Sequence, residues 1–162
     1  MNNDYIKVGM ADLNVASAPA VLTTLGLGSC VGIALYDPAI QLGGMAHIML
    51  PDSTQIRNNE NEAKFADTGV KALLSIMEAK GAKRHRLVAK IAGGAQMFSF
   101  PNMDESMRIG VRNTIAVKSL LELYKIPLLG EETGENYGRT IELHTETGKL
   151  VVKTIGHGIK EI

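Results

Sequence analysis

The sequence predicts an α+β domain, and three observations carry the prediction. Short segments rich in β-branched or alternating apolar residues, bounded by Gly, Pro, Asn and Asp, recur along the chain. Two longer segments instead carry apolar residues at three- and four-residue spacing, the period of an amphipathic helix. Connections between neighbouring strand-like segments are short, so hairpins outnumber crossover units and a doubly wound sheet is disfavoured.

The chain has 162 residues, a formal net charge of zero and a single cysteine. That length suits one domain, residues 1–162, able to bury roughly 70% of its unfolded surface. A balanced charge gives no general affinity for polyanions, so nucleic acid and acidic membrane surfaces are poor partners. One cysteine excludes an intramolecular disulfide and a thiolate metal cluster, and a free thiol fits a reducing compartment. The opening MNNDYIKVGMADL has an early acid and no apolar core, unlike a signal peptide, and no apolar run reaches the roughly 18 residues of a spanning helix. The expected location is the cytoplasm.

Taken in order, Tyr5–Val8 and Leu13–Ala16 alternate weakly and predict short strands, and Ala20–Leu25 a buried one. Gly26-Leu27-Gly28 interrupts that run where the chain must bend. Val31–Tyr36 and Leu42–Leu50 predict a hairpin closed by Pro51, and Asp52–Asn61 a surface loop. From Glu62 to Lys80, Phe65, Ala66, Val70, Leu73, Leu74 and Met77 share one helix face, with Gly81 as the stop. Lys83–Arg86 reads as a solvated basic connection and Leu87–Ala92 as a buried strand ending at Gly93-Gly94. Ala95–Met107 has neither period, yet holds Met97, Phe98, Phe100 and Met103, either folded back on the core or exposed to a partner. A second helix is predicted over Val111–Tyr124, followed by a strand at Leu128–Glu132 and a terminal hairpin of Arg139–His144 and Lys149–Thr154.

The first hairpin holds the chemistry. Cys30 precedes its first strand and His47 lies in its second. A two-residue turn at Pro38-Ala39 would set Cys30 directly opposite His47, but that turn needs positive φ, which Pro38 cannot adopt. A four-residue loop makes the two residues diagonal neighbours on one face; a five-residue loop or a bulge sends them to opposite faces. Either residue alone reads as a core side chain. Together, beside a Gly-x-Gly-Ser bend where backbone amides converge, they read as a nucleophile and its base. An imidazolium or converging amides would lower the thiol pKa from its ordinary value of about 8.5. Thr23 and Thr24, which point to opposite faces of a strand, are both candidates to orient the ring. The N–H groups of Cys30 and of its neighbours Ser29 and Gly28 are candidate oxyanion donors.

Competing motifs are incomplete. Gly26–Val31 lacks the last glycine of a dinucleotide fingerprint, and Gly93-Gly94 lacks the Lys-Ser/Thr of a phosphate loop. His85, His144 and His157 stand apart in polar segments with no metal-ligand spacing, and are expected at the surface.

Thr24-Leu-Gly-Leu-Gly-Ser-Cys30 and Gly43-Gly-Met-Ala-His47-Ile-Met-Leu-Pro51 together resemble the CheD family of bacterial chemoreceptor glutamine deamidases. Lys64–Asp67, Lys90–Ala95, Ile109–Asn113 and Glu132–Asn136 extend the resemblance over nearly the whole chain. The resemblance implies hydrolysis of receptor glutamine side chains to glutamate with release of ammonia, through a thioester and without metal or organic cofactor. It places the family's cysteine, histidine and threonine on Cys30, His47 and Thr24, choosing Thr24 over Thr23. It implies a compact α/β sandwich of mixed and antiparallel sheets flanked by helices, related to deamidating bacterial toxins. Its implied partners are the cytoplasmic helices of chemoreceptors and the chemotaxis phosphatase CheC, for which Met97, Phe98 and Phe100 are the candidate contacts. The alternatives are a mainly non-catalytic regulator of that phosphatase and a cysteine peptidase, for which no extended substrate groove is marked.

Overall fold

The computed structural model describes residues 4–97 and 108–162. Among the described residues, ten strands form two five-stranded sheets. One contains β1 (Tyr5–Lys7), β3 (Val21–Leu27), β8 (Arg139–His144), β9 (Lys149–Thr154) and β10 (Gly158–Glu161), in the order β1-β3-β8-β9-β10. The other has the order β2-β5-β4-β6-β7, from β2 (Leu13–Ser17), β4 (Val31–Asp37), β5 (Leu42–Ile48), β6 (Val88–Gly93) and β7 (Leu128–Thr133). Both sheets are mixed: β1 runs parallel to β3 and β6 to β7, the rest antiparallel. The β6–β7 pair is parallel because α2 (Ile109–Leu123) lies between them in sequence and supplies the crossover that a parallel pair needs.

Three layers result. α1 (Ala66–Ala79) and α2 pack on one face of the second sheet, where Val70, Leu73, Val117 and Leu121 meet Ile33, Leu35, Ala46 and Ile91. Both helices cover the same face, so the flanking is one-sided. The other face of that sheet packs on the first sheet, with Ala34, Met45 and Ala92 against Leu22, Leu27, Ile141 and Leu143. The second sheet is therefore covered on both sides, and every residue of β4 and β5 is buried. That is why these two strands read as near-continuous apolar runs instead of alternating ones.

Two elements depart from expectation. The first helix starts at Ala66, after a short 3-10 turn over Glu62–Lys64. β10 is not predicted by the sequence: it is short, exposed at every residue and opens on Gly158, so it carries no alternation. Phe98, Phe100 and Met103 lie outside the described residues. Among the described residues no helix is long and apolar enough to cross a membrane.

The basic connection is not simply solvated. Arg86 Nη2 donates to Asp37 Oδ2 at 2.8 Å and Nε to Oδ1 at 3.1 Å, while Ala39 and Lys83 N–H groups also donate to this fully buried carboxylate. Burial alone would raise the Asp37 pKa; the guanidinium and the two amides outweigh it and hold the carboxyl below its ordinary value. This contribution to stability is complete above the unfolded value of about 3.9 and is lost as pH falls through the lower folded value. Because removing the carboxylate takes the acceptor from the Ala39 and Lys83 N–H groups as well as from the partly exposed Arg86, Asp37→Ala should cost about 3 kcal/mol in urea unfolding. A loss below about 1 kcal/mol would show the pair to be inert.

Candidate active site

The Asp37–Leu42 pairing that closes the hairpin encloses a four-residue loop, in which Gln41 takes a φ of +50°. His47 consequently faces Gly32, and continuing the register by one places Cys30 opposite Met49, diagonal to His47. The direct opposition that a two-residue turn would give is absent, as the φ of Pro38 requires. Because side chains alternate, Cys30, Gly32 and His47 all face the first sheet.

Thr24 comes from that facing sheet. β3 pairs regularly with β8 up to Thr24–Ile141, then shifts register before Leu27–Arg139, with Gly26 at a φ of +66°. The irregularity carries the strand from Thr24 towards the Gly28–Cys30 bend. Thr23 points elsewhere, its hydroxyl donating to the Ile141 carbonyl at 2.9 Å. Thr24 Oγ1 lies 2.7 Å from both the Val8 carbonyl oxygen and His47 Nδ1.

These two contacts determine the tautomer. A hydroxyl has one proton, and a carbonyl oxygen can only accept, so the Thr24 proton goes to Val8. Nδ1 must then carry the hydrogen that Thr24 accepts, and in the neutral ring Nε2 is left as a bare lone pair. Nε2 is buried and has no hydrogen-bond partner among the described residues. The His47 backbone is anchored as well, its N–H donating to Asp12 O and its carbonyl accepting from Ala11 N–H, each at 3.0 Å.

The cysteine bend is held from the opposite side. The Gly28 carbonyl accepts from Ala95 N–H at 2.9 Å and the Cys30 carbonyl from Gly94 N–H at 2.8 Å. Asn113 Nδ2 reaches the Ser29 carbonyl at 3.0 Å and the Met49 carbonyl at 2.9 Å. Gly93 and Gly94 have φ of +106° and +63°, and a Cβ on either would overlap a neighbour, the Cys30 carbonyl oxygen for Gly93 and Thr114 Oγ1 for Gly94. Close approach to the bend at Gly93 and to α2 at Gly94 accounts for this glycine pair.

Thr24, His47 and Cys30 form a gradient of exposure, from 0% through 1% to 8%, so the thiol is the member nearest solvent. Burial pushes the Cys30 thiol up, only partly offset by its own backbone N–H, and pushes the His47 imidazole down. Both directions favour a neutral thiol beside a neutral imidazole. The expectation of a thiol pKa lowered by an imidazolium does not hold in this resting arrangement, because two apolar sheets remove the water that would solvate the ion pair.

Of the expected amide donors, Gly28 N–H is engaged with the Gly26 carbonyl at 3.0 Å. Met97 is half exposed, and its Cγ stands 3.3 Å from where a Gly28 Cβ would be, so the start of the apolar loop borders the bend. His85 and His157 are exposed; His144 is half-buried, with Nε2 at 3.4 Å from Glu142 Oε1.

Residues 49–154 match the family model for CheD, described as CheD chemotactic sensory transduction. The chain belongs to the CheD family. A probable chemoreceptor glutamine deamidase CheD of Syntrophomonas wolfei is 60% identical over 94% of this chain and 95% of its own length. A probable chemoreceptor glutamine deamidase CheD of Caldanaerobacter subterraneus is 54% identical over the full length of both. The chemoreceptor glutamine deamidase CheD of Halalkalibacterium halodurans is 55% identical over 99% of each. In this CheD chain the CheD model's matched span begins two residues after His47, while the full-length likeness to the Caldanaerobacter relative extends across the whole cysteine hairpin.

Sequence reasoning passed over Asn113 and the structural use of Gly93-Gly94. The signal for Asn113 was present: it stands four residues before Val117, on the apolar face of α2, where a polar side chain must find partners. Its partners lie 84 and 64 residues away, which no local pattern encodes.

Proposed function

We propose that this chain hydrolyses glutamine side chains of chemoreceptors to glutamate, with Cys30 as nucleophile, His47 as general base and acid, and Thr24 orienting the ring. The observation that carries the reading is the buried Thr24–His47 hydrogen bond, which leaves Nε2 bare on the face that Cys30 shares. The names of the full-length relatives supply the substrate class.

The chemistry follows from a neutral pair. As Sγ attacks the amide carbonyl carbon, the thiol proton passes to His47 Nε2, so no thiolate need persist in the apolar resting site. The carbonyl oxygen becomes an oxyanion, for which Cys30 N–H is the nearest donor and Ser29 N–H the second candidate. The imidazolium gives its proton to the departing nitrogen, the C–N bond breaks, and ammonia leaves a thioester. Water then attacks the thioester with Nε2 taking its proton, releasing glutamate and restoring the thiol. Thr24 accepts from Nδ1–H throughout and holds the tautomer.

The phosphatase CheC is the second partner in this reading. Met97 supports it, being exposed and bordering the cysteine bend, so a partner seated there would screen the nucleophile.

The test is mass spectrometry of a chemoreceptor cytoplasmic fragment incubated with this protein or with its Cys30→Ala form. The expected result is conversion of particular glutamines to glutamate by the first and none by the second. Equal conversion by both would remove Cys30 from the mechanism. No conversion by either, with phosphatase binding intact, would replace the enzymatic reading by a regulatory one.

A further inference from the structure

We propose that Asn113 is a positioning residue that aims the Cys30 backbone N–H as the oxyanion donor. The proposal rests on the reading of Cys30 as the nucleophile. Asn113 is fully buried, and both its acceptors are carbonyl oxygens, so the amide orientation is fixed: Nδ2, with two hydrogens, faces Ser29 and Met49.

The peptide bond from Ser29 to Cys30 is planar, and in a trans peptide C=O and N–H point in opposite directions. Holding the Ser29 carbonyl against Asn113 therefore turns the Cys30 N–H away from α2, towards the face on which the Cys30 side chain lies. An oxyanion formed by attack of Sγ develops at that side. The second hydrogen of the same amide holds Met49, two residues beyond His47 on the chain. One side chain thus ties the donor to the strand that carries the base.

The bend as a whole presents its carbonyls to one side. Gly28 and Cys30 carbonyls are held by the backbone of Ala95 and Gly94, and Ser29 between them by Asn113. Among the described residues, the middle carbonyl alone is held by a side chain, so a substitution there can release it and leave the main chain intact.

The test compares two reactions of the same sulfur in the full chain. Deamidation of a receptor fragment passes through an oxyanion, whereas alkylation of Cys30 by iodoacetamide displaces iodide and forms none. Asn113→Ala should lower kcat about 10²-fold, the usual loss for one oxyanion donor, with KM and the Cys30 alkylation rate each within about threefold of the parent. If the alanine variant does not fold, the near-isosteric Asn113→Leu, which has no donor, is measured in the same way. A folded variant with kcat within about threefold of the parent overturns the proposal. So does a fall in kcat matched by an equal change in alkylation, since the amide would then merely hold the thiol. Cys30→Ala run alongside separates the two failures: activity surviving in that variant refutes the nucleophile assignment itself.

Discussion

His47→Gln is expected to lower kcat about 10²- to 10⁴-fold, the range for losing a positioned acid–base group, while KM moves little. Glutamine keeps a polar side chain of similar length that cannot carry a proton at neutral pH, so the loss reports the missing proton carrier. A variant retaining more than about a tenth of the parent kcat would mean that Nε2 does not carry the proton. The pH profile of the parent gives an independent reading. The base must be neutral, and burial lowers the His47 pKa from its ordinary 6.5, so the acid limb of kcat/KM should fall below pH 6.5. The thiol proton is needed for the departing ammonia, and burial raises the Cys30 pKa from 9.0, so the alkaline limb should lie above pH 9.0. An alkaline limb below pH 9.0, reporting loss of an imidazolium proton, with an acid limb at the low pKa of a His-paired thiol, would instead indicate a thiolate–imidazolium pair. The same lowered His47 pKa links to stability: the unfolded imidazole binds a proton more readily, so this contribution is present above pH 6.5 and is lost below it.

Gly93→Ala is expected to be strongly damaging for so small a substitution. Its φ of +106° excludes a side chain on conformational grounds, and the added Cβ would overlap the Cys30 carbonyl oxygen and approach Leu27 Cβ at 3.3 Å. Both obstacles are backbone or backbone-proximal, so no rotamer change relieves them. Strain and overpacking each cost about 1–3 kcal/mol, and together about 3–5 kcal/mol is expected in urea unfolding. Such a loss is a large share of a typical domain's roughly 5–15 kcal/mol. Gly26→Ala is the control: its φ is +66°, but nothing lies within 4 Å of the new atom, so only the left-handed penalty of about 1–2 kcal/mol applies. Equal costs at the two positions would show that contact with the cysteine bend contributes nothing.

Much of this could be read from the sequence because it depends on local pattern. The 3.6-residue period placed both helices to within a few residues, and the apolar runs placed β4, β5 and β6. The φ of Pro38 disfavoured a two-residue loop, but only the strand register chose four residues over five and so put Cys30 and His47 diagonally on one face. The family motif placed Cys30, His47 and Thr24 together, but composition alone left Thr23 and Thr24 equivalent. Choosing between the threonines physically required the packing of one sheet on the other, since only Thr24 turns to the shared face. The same packing set the charge state of the pair, because desolvation depends on what covers a side chain and not on its neighbours in sequence. Tertiary structure also gave Asn113 and Gly93 their roles. A hydrogen bond that spans 84 residues, or a contact between Gly93 and the Cys30 carbonyl, exists only once the chain has closed on itself. The sequence by itself determined which chemical groups stand near the bend; the meeting of the two sheets and α2 decided which of them face each other, and in which protonation state.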